Sequence, residues 1–375
     1  METREATSPD TRAGAAGALL ADARPQGRPA SRDDFGRTID YLRIAITDRC
    51  NYRCVYCMPA TGVAFKPHES IMTYEEIERF VRIAAEYGIK HIRLTGGEPL
   101  VRKGVCDLAR GISEIPGIED ISITTNGSLL TRYADELVRS GVSRVNISLD
   151  TLDPAVFHAV SRVGNLEDAL AGIDAALAAG FKTVKINTVA VRSLNQDFLG
   201  LARMSVDRPL HVRFIEYMPI GDDDIELEGD DSADYQSIAG VAGWSQKDTI
   251  PTEELRALIS SRGEEVGLGP LVSARGHRPD GHGPADYWHF EGALGTVGFI
   301  SAMSNHFCAS CNRLRLTADG NLRPCLFSDV EVKVREYLRA GDDDAVRDAF
   351  ERALRLKPEA HVTEGTERYM SQIGG

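Results

Sequence analysis

Six of the seven cysteines in this 375-residue chain fall into two groups of three. The first reads Cys50-x3-Cys54-x2-Cys57, the second Cys308-x2-Cys311-x13-Cys325, and Cys106 is left over. A metal or cluster that takes three protein thiolates keeps one coordination position open for something that is not protein. Two such groups therefore point to two open sites, and so to chemistry rather than to a structural staple. Cys106 reads as a small buried hydrophobe.

Spacing alone leaves two chemistries for each group. Cys50–Cys57 suits an iron–sulfur cluster with one bare iron, or a zinc loop whose fourth ligand lies elsewhere. His306 stands two residues before Cys308, so a Cys3His zinc site is the alternative for the second group. Arg313 and Arg315 follow Cys311 and, two apart on a strand, point to the same side. Two guanidinium groups beside a metal site make an anion clamp; otherwise they are a solvated basic edge. Arg43, Arg93 and Lys185 sit inside apolar strands, where an unpaired charge is costly, so each needs an anion. Arg49 and Arg213 are weaker candidates of the same kind, and Arg192 reads as solvent-facing.

These residues need a scaffold, and the pattern from Tyr41 onward repeats strand then helix. Candidate strands are Leu42–Thr47, His91–Thr95, Asp120–Thr124, Arg144–Leu149, Lys182–Val191 and His211–Tyr217. Helices are expected over Thr73–Tyr87, opened by a Thr73-x-x-Glu76 capping box and closed by Gly88, and near Leu129–Ser140 and Glu167–Ala179. Alternating units imply an α/β fold with a parallel sheet, here a partial (β/α)6 TIM-like barrel. Ligands then bind at the carboxyl ends of the strands, where Cys50–Cys57 lies. After Met218 the pattern breaks, and Gly221–Asp234 reads as an acidic loop. The expected organisation is a disordered extension over 1–36, the barrel over 37–245, and a smaller C-terminal α+β domain over 246–375. In the last, Arg313–Thr317 and Leu322–Leu326 flank Asp319-Gly320, a hairpin signal that returns Cys325 to Cys308 and Cys311.

Composition narrows the class. The formal charge is −13 and 42% of residues are hydrophobic. An acidic balance argues against non-specific nucleic-acid binding, while a local basic cluster still admits an anionic small ligand. No stretch approaches the ~20 apolar residues of a membrane helix. Glu2, Glu5 and Asp10 argue against a secretory signal, and the cysteines read as reduced thiols, so the expected location is cytoplasmic.

Cys50-Asn51-Tyr52-Arg53-Cys54-Val55-Tyr56-Cys57, with Gly96-Gly97-Glu98-Pro99 directly after a strand, resembles the radical S-adenosylmethionine (SAM) superfamily. With Thr47-Asp48-Arg49-Cys50-Asn51, the second triad and a terminal Ile373-Gly374-Gly375, the chain from about Asp34 to Gly375 resembles the GTP 3′,8-cyclase family of molybdenum cofactor biosynthesis. That resemblance implies two [4Fe–4S] clusters, held by Cys50, Cys54 and Cys57 and by Cys308, Cys311 and Cys325. It implies SAM contacts at Tyr56, Gly97, Ser148 and Met218. It puts GTP contacts at Arg43, Arg93, Thr124, Lys185 and the Arg313–Leu314–Arg315 run. Catalytic assistance falls to Arg313, Arg315, Gly374 and Gly375. An adenosyl radical would remove the ribose 3′-hydrogen of GTP, and the second cluster would hold the purine. The implied partners are a flavodoxin- or ferredoxin-type reductant and a second copy of the chain in a homodimer. The rival readings are another radical SAM enzyme with an auxiliary cluster, such as a peptide-maturing one, and a non-enzymatic iron–sulfur or zinc protein.

Overall fold

The computed structural model describes residues 31–220, 244–276, 278–361 and 366–374. The acidic segment 221–234 and Gly375 lie outside the described residues.

The strand–helix repeat is present from the first strand. In chain order it runs β1 (Tyr41–Ala45), α1 (Tyr74–Glu86), β2 (His91–Thr95), α2 (Val105–Ser113), β3 (Asp120–Thr125), α3 (Leu130–Arg139) and β4 (Val142–Ser148). It continues through α4 (Pro154–Ser161), α5 (Leu166–Ala178), β5 (Thr183–Ala190), α6 (Phe198–Arg203) and β6 (Leu210–Glu216). Each expected strand is found with its ends shifted by a residue or two at most. Helix α1 opens as expected: the Thr73 hydroxyl accepts from the Glu76 N–H while the Glu76 carboxylate accepts from the Thr73 N–H.

Strands β1 to β6 pair in parallel, each with the next. Their residues alternate. Leu42, Ile44, Ile92, Leu94, Ile121, Ile123, Val145, Ile147, Val184, Ile186, Val212 and Phe214 join the main apolar core with α1, α2, α3 and α5. Each such burial is worth about 1.5–3 kcal/mol, so the helix-facing side holds the sheet together. The intervening positions carry Arg43, Arg93, Ser122, Thr124, Asn146, Lys185, Asn187 and Arg213. A parallel strand buried on both faces normally reads as one apolar run. Here the inner row is polar and basic instead.

The C-terminal segment does not build a separate sheet. After α7 (Thr252–Glu265) come β7 (Val272–Ser273), β8 (Asp286–His289), β9 (Thr296–Ile300), β10 (Arg313–Leu316), β11 (Asn321–Arg323) and β12 (Val332–Lys333). All join one 12-stranded sheet of order β12-β11-β10-β1-β2-β3-β4-β5-β6-β9-β8-β7. Strand β9 lies parallel beside β6, and β10 parallel beside β1. Six βα units thus gain a parallel neighbour at each side, and the sheet stays open. The hairpin around Asp319-Gly320 is present as the antiparallel pair β10–β11. Helices α8 (Arg335–Ala340), α9 (Asp343–Arg355) and α10 (Met370–Ile373) close the chain; α8 and α9 pack on α1.

Within residues 31–36, expected as part of the disordered extension, two side chains are packed while Arg32, Asp34, Phe35 and Gly36 are exposed. Ser31 and Asp33 are buried. The Asp33 carboxylate takes the Arg37 N–H at 2.9 Å and its guanidinium at 2.5 Å. No helix among the described residues is long and apolar enough to cross a membrane.

One helix contact links the fold to the site. A side chain on Gly172 of α5 would meet the Gly127 carbonyl at 2.1 Å, and Gly127 follows β3 in the loop that bears Thr125 and Asn126. Glycine to alanine inside a helix ordinarily gains up to about 1 kcal/mol. Here the sign reverses: Gly172→Ala lowers stability by about 1–3 kcal/mol, as read by urea unfolding of the metal-free protein.

Candidate active site

Strand register brings the basic residues together. Arg93 on β2 is level with Arg43 on β1, Arg43 with Arg315 on β10, and Arg315 with Arg323 on β11. Four arginines stand in one row across four strands. Arg323 is neutralised by Glu331 at 2.7 Å and Asp329 at 3.4 Å. Among the described residues no carboxylate pairs with Arg93, Arg213, Arg313, Arg315 or Lys185. Burial, reinforced by the neighbouring cations, loosens the hold of three of them on their protons. Arg93 is pushed down to about 10, as is Arg315 beside Arg313. Lys185 falls to about 6, through burial and then Arg213, Arg144 and Arg93. The Arg213 and Arg313 Nε groups are buried without a hydrogen-bond partner, as is the Thr124 hydroxyl. The inner wall is therefore a set of donors awaiting an anion.

Most of these residues, though not Lys185 or Arg323, line a cavity of about 250 Å³ at the carboxyl ends of the strands. Into it face Cys50, Cys54, Cys57, Tyr56, Gly97, Thr124, Ser148 and Met218, together with Arg43, Arg93, Arg213, Arg313 and Arg315. Leu314, Lys185 and the weaker candidate Arg49 lie outside this lining. Leu314 is fully buried in the apolar core, because alternation turns it away from Arg313 and Arg315; only its backbone could serve a ligand. Lys185 bonds the Asp280 carbonyl rather than facing the cavity. Arg49 is exposed over the Phe65 ring. Arg192 pairs with Glu254 at 2.7 Å at the surface, as its solvent-facing reading requires.

The first triad is held by backbone against backbone. The Gly97 N–H donates to the Thr47 carbonyl at 2.9 Å, and the Glu98 N–H to the Arg49 carbonyl at 2.8 Å. A side chain on Gly97 would meet that Arg49 carbonyl at 2.3 Å, and one on Gly96 the Thr47 carbonyl at 2.5 Å. These glycines make room for the loop that carries Cys50, and need for a close ligand is not their sole reason. Glu98 ties this clamp to β3: its buried carboxylate accepts from Leu100 N–H, Thr125 Oγ1 and Asn126 N–H at 2.7–3.0 Å. Burial nevertheless pushes it up to about 7. Asp150, also raised by burial to about 6, accepts from the Tyr56 hydroxyl at 2.8 Å. Both acids were absent from the sequence-based site. Glu98 stood in a quoted motif, and only its burial reveals its structural task.

Each triad offers three free thiols, a donor set that would suit an iron–sulfur cluster with one open iron. Burial, then mutual repulsion, raises Cys54 well above the ordinary thiol range; Cys50 goes to about 11 and Cys57 to about 12. Among the described residues, His91, Asp120 and His282 are a separate group whose ligand atoms lie within 4.8 Å of one another. At the second triad His306 is turned to the Ala302 carbonyl at 3.1 Å. His361 instead approaches Cys308, its Nδ1 3.3 Å from Sγ. Lys357 lies 3.4 Å from the Cys311 Sγ. Burial alone would raise the Cys311 thiol, but Lys357 and Arg313 outweigh it and lower it.

The tail reaches the site as well. Arg315 donates to the Gly374 carbonyl at 2.6 Å. Gly374 has φ of +73°, and a side chain there would strike Thr95 at 2.7 Å at the end of β2. Ile373 is buried in a small cluster with Ile220 and Phe327, against Met218 and Cys325.

Comparison with known proteins agrees with this geometry. Residues 44–204 match the Radical SAM superfamily, and residues 210–363 match Molybdenum Cofactor Synthesis C. A "GTP 3′,8-cyclase" from Pelotomaculum thermopropionicum is 48% identical over 92% of this chain and 100% of its own length. The chain belongs to the GTP 3′,8-cyclase family. A second such cyclase, from Moorella thermoacetica, is also 48% identical over 92% of this chain and 100% of its length. Among solved structures, native anSMEcpe with bound AdoMet has a TM-score of 0.51 at 14% identity, covering 85% of this chain and 81% of that one. It shares the radical SAM fold, an α/β architecture around a central parallel sheet. Glu98 lines the same cavity while its carboxylate ties the Gly96–Gly97 turn to the end of β3.

Glu98 gives a stability test. Its folded-state pKa lies above that of the unfolded chain, so the native state holds the proton more tightly. Stability from this group is complete below about pH 4.3 and falls as pH rises toward 7. Urea unfolding of the metal-free protein loses stability across that interval, and Glu98→Gln flattens the loss while lowering stability at pH 5.

Proposed function

We propose that this chain converts GTP to (8S)-3′,8-cyclo-7,8-dihydroguanosine 5′-triphosphate in molybdenum cofactor biosynthesis, with a [4Fe–4S] cluster at each triad. The supporting observation is the in-register arginine row opening onto the cavity that Cys50, Cys54 and Cys57 also line. A nucleoside triphosphate is the anion such a row suits, since several charges answer several cations.

The residues divide the work. Cys50, Cys54 and Cys57 hold the first cluster and leave one iron for SAM, with Tyr56, Gly97, Ser148 and Met218 around the SAM site. When bound, the cluster and SAM supply a one-electron cleavage, fed by a flavodoxin- or ferredoxin-type donor, that gives an adenosyl radical. Arg43, Arg93 and Arg213 hold the phosphates, Lys185 joins them once the Asp280 carbonyl yields, and Thr124 offers its unpartnered hydroxyl. Cys308, Cys311 and Cys325 would hold the second cluster, which would help to fix the purine. Arg313 and Arg315 stand between the two sites. The net change joins ribose C3′ to guanine C8, so both ends of one nucleotide must be fixed at once. Ile373 and Gly374 lie against this site, with the Gly374 carbonyl held by Arg315.

The deciding experiment is anaerobic incubation with GTP, SAM and dithionite. An isomer of GTP with a new C3′–C8 bond, identified by NMR, accompanies 5′-deoxyadenosine; absence of that isomer from fully iron-loaded protein sinks the proposal. Cys50→Ser abolishes 5′-deoxyadenosine formation. Cys325→Ser abolishes the cyclised product while SAM cleavage persists, and undiminished cyclisation by that variant would remove the second cluster's role. Arg315→Ala loses an anion contact that carries about 1.5–3 kcal/mol. GTP affinity by anaerobic calorimetry then falls roughly ten- to a hundredfold, with the iron at the first triad unchanged.

A further inference from the structure

We propose that Lys357 is a positioning residue for the second cluster: its ammonium donates to the Cys311 thiolate, holds that thiolate in place relative to Cys325, and makes the cluster easier to reduce. This rests on the two-cluster reading above. Lys357 follows α9 and is 3% exposed. Its ammonium has three hydrogens and makes three bonds: the Cys311 Sγ at 3.4 Å, the Arg313 carbonyl at 2.8 Å and the Pro324 carbonyl at 2.9 Å.

Two features separate this arrangement from ordinary packing. First, the three acceptors come from the two chain segments that deliver Cys311 and Cys325, since Pro324 immediately precedes Cys325. One side chain thereby spans the 13-residue gap within the triad. Second, among the described residues Lys357 has no carboxylate partner. A buried ammonium without a counter-charge is costly, and the negative group beside it is the thiolate. The residues after it are fixed from another direction. Arg37 donates to the Pro358 carbonyl at 2.6 Å, the Glu359 carbonyl at 2.9 Å and the Cys308 carbonyl at 2.8 Å.

The electrostatic consequence has a definite sign. Reduction adds an electron, so a neighbouring cation and an N–H···S bond favour the reduced cluster. Arg313 and Arg315 add positive charge nearby, and the contribution of Lys357 must be isolated by substitution.

The test uses full-length, anaerobically reconstituted chain. Iron quantitation of the unmodified chain comes first: about eight irons per chain support two clusters, and about four would remove the reading beneath this proposal before Lys357 is touched. Lys357→Gln and Lys357→Arg are then placed in a Cys50→Ser, Cys54→Ser, Cys57→Ser background. There, redox titration followed by electron paramagnetic resonance reads the second cluster alone. The Gln variant shifts its midpoint to more negative potential and the Arg variant stays near the parent. In the chain with both triads intact, the first cluster's midpoint is unmoved by either. Loss of iron in the Gln variant alone also supports a required charge at the thiolate. An unmoved midpoint in an iron-replete Gln variant overturns the proposal, as does equal loss of iron from both variants, which would make the residue a packing element only.

Discussion

The structure depends on a row of like charges that the sheet forces into register. Arg93, Arg43 and Arg315 stand level on three adjacent parallel strands. Strands lie about 4.8 Å apart, so the register holds these guanidinium groups near one another, and burial, then the repulsion of Arg315 and Arg93, lowers the hold of Arg43 on its proton. The apolar face toward the helices must outweigh this. An anion with several charges would relieve that repulsion, and the chain's formal charge of −13 does not exclude one, since a local basic cluster can overrule the global field.

Around that row, the chain uses close backbone approach to fix the chemistry at its edges. The Thr47–Cys50 loop lies directly on Gly96 and Gly97, and Glu98 fastens the pair to the next strand. The tail is tied to the row itself through Arg315 and Gly374. Asp319, at the turn of the β10–β11 hairpin, joins Lys66 beyond the first triad to Arg368 before the tail. Despite burial, those two cations hold its carboxyl well below the usual range. The loop after the first triad, the hairpin that returns Cys325, and the tail therefore share one ionic anchor.

Much of this was legible in the sequence because short-range rules sufficed. The capping box at Thr73, the Asp-Gly turn at 319–320 and the period-2 strands each depend on neighbours within a few residues. The two cysteine groups were legible from spacing. Less legible were features whose partners are distant. That β9 and β10 flank the six barrel strands is a choice among sheet edges that no local pattern makes. That Asp33 packs under Arg37 in a stretch of low hydrophobicity depends on carbonyls at 308, 358 and 359. Leu314 was grouped with its arginine neighbours although alternation itself turns it into the core.

The amino-acid sequence determined the donor chemistry: three thiolates twice, a glycine-rich turn after a strand, and basic residues at strand positions that ought to be apolar. It also set which face of each strand those residues occupy, since side chains alternate with a fixed period of two. Only the tertiary structure decided which strands would be adjacent and at what register. That choice put Arg43 level with Arg93 and Arg315, set His306 on the Ala302 carbonyl, and brought Lys357 to Cys311. Such contacts join residues tens to hundreds of positions apart, and their selection belongs to the packing of the whole apolar face rather than to any segment of it.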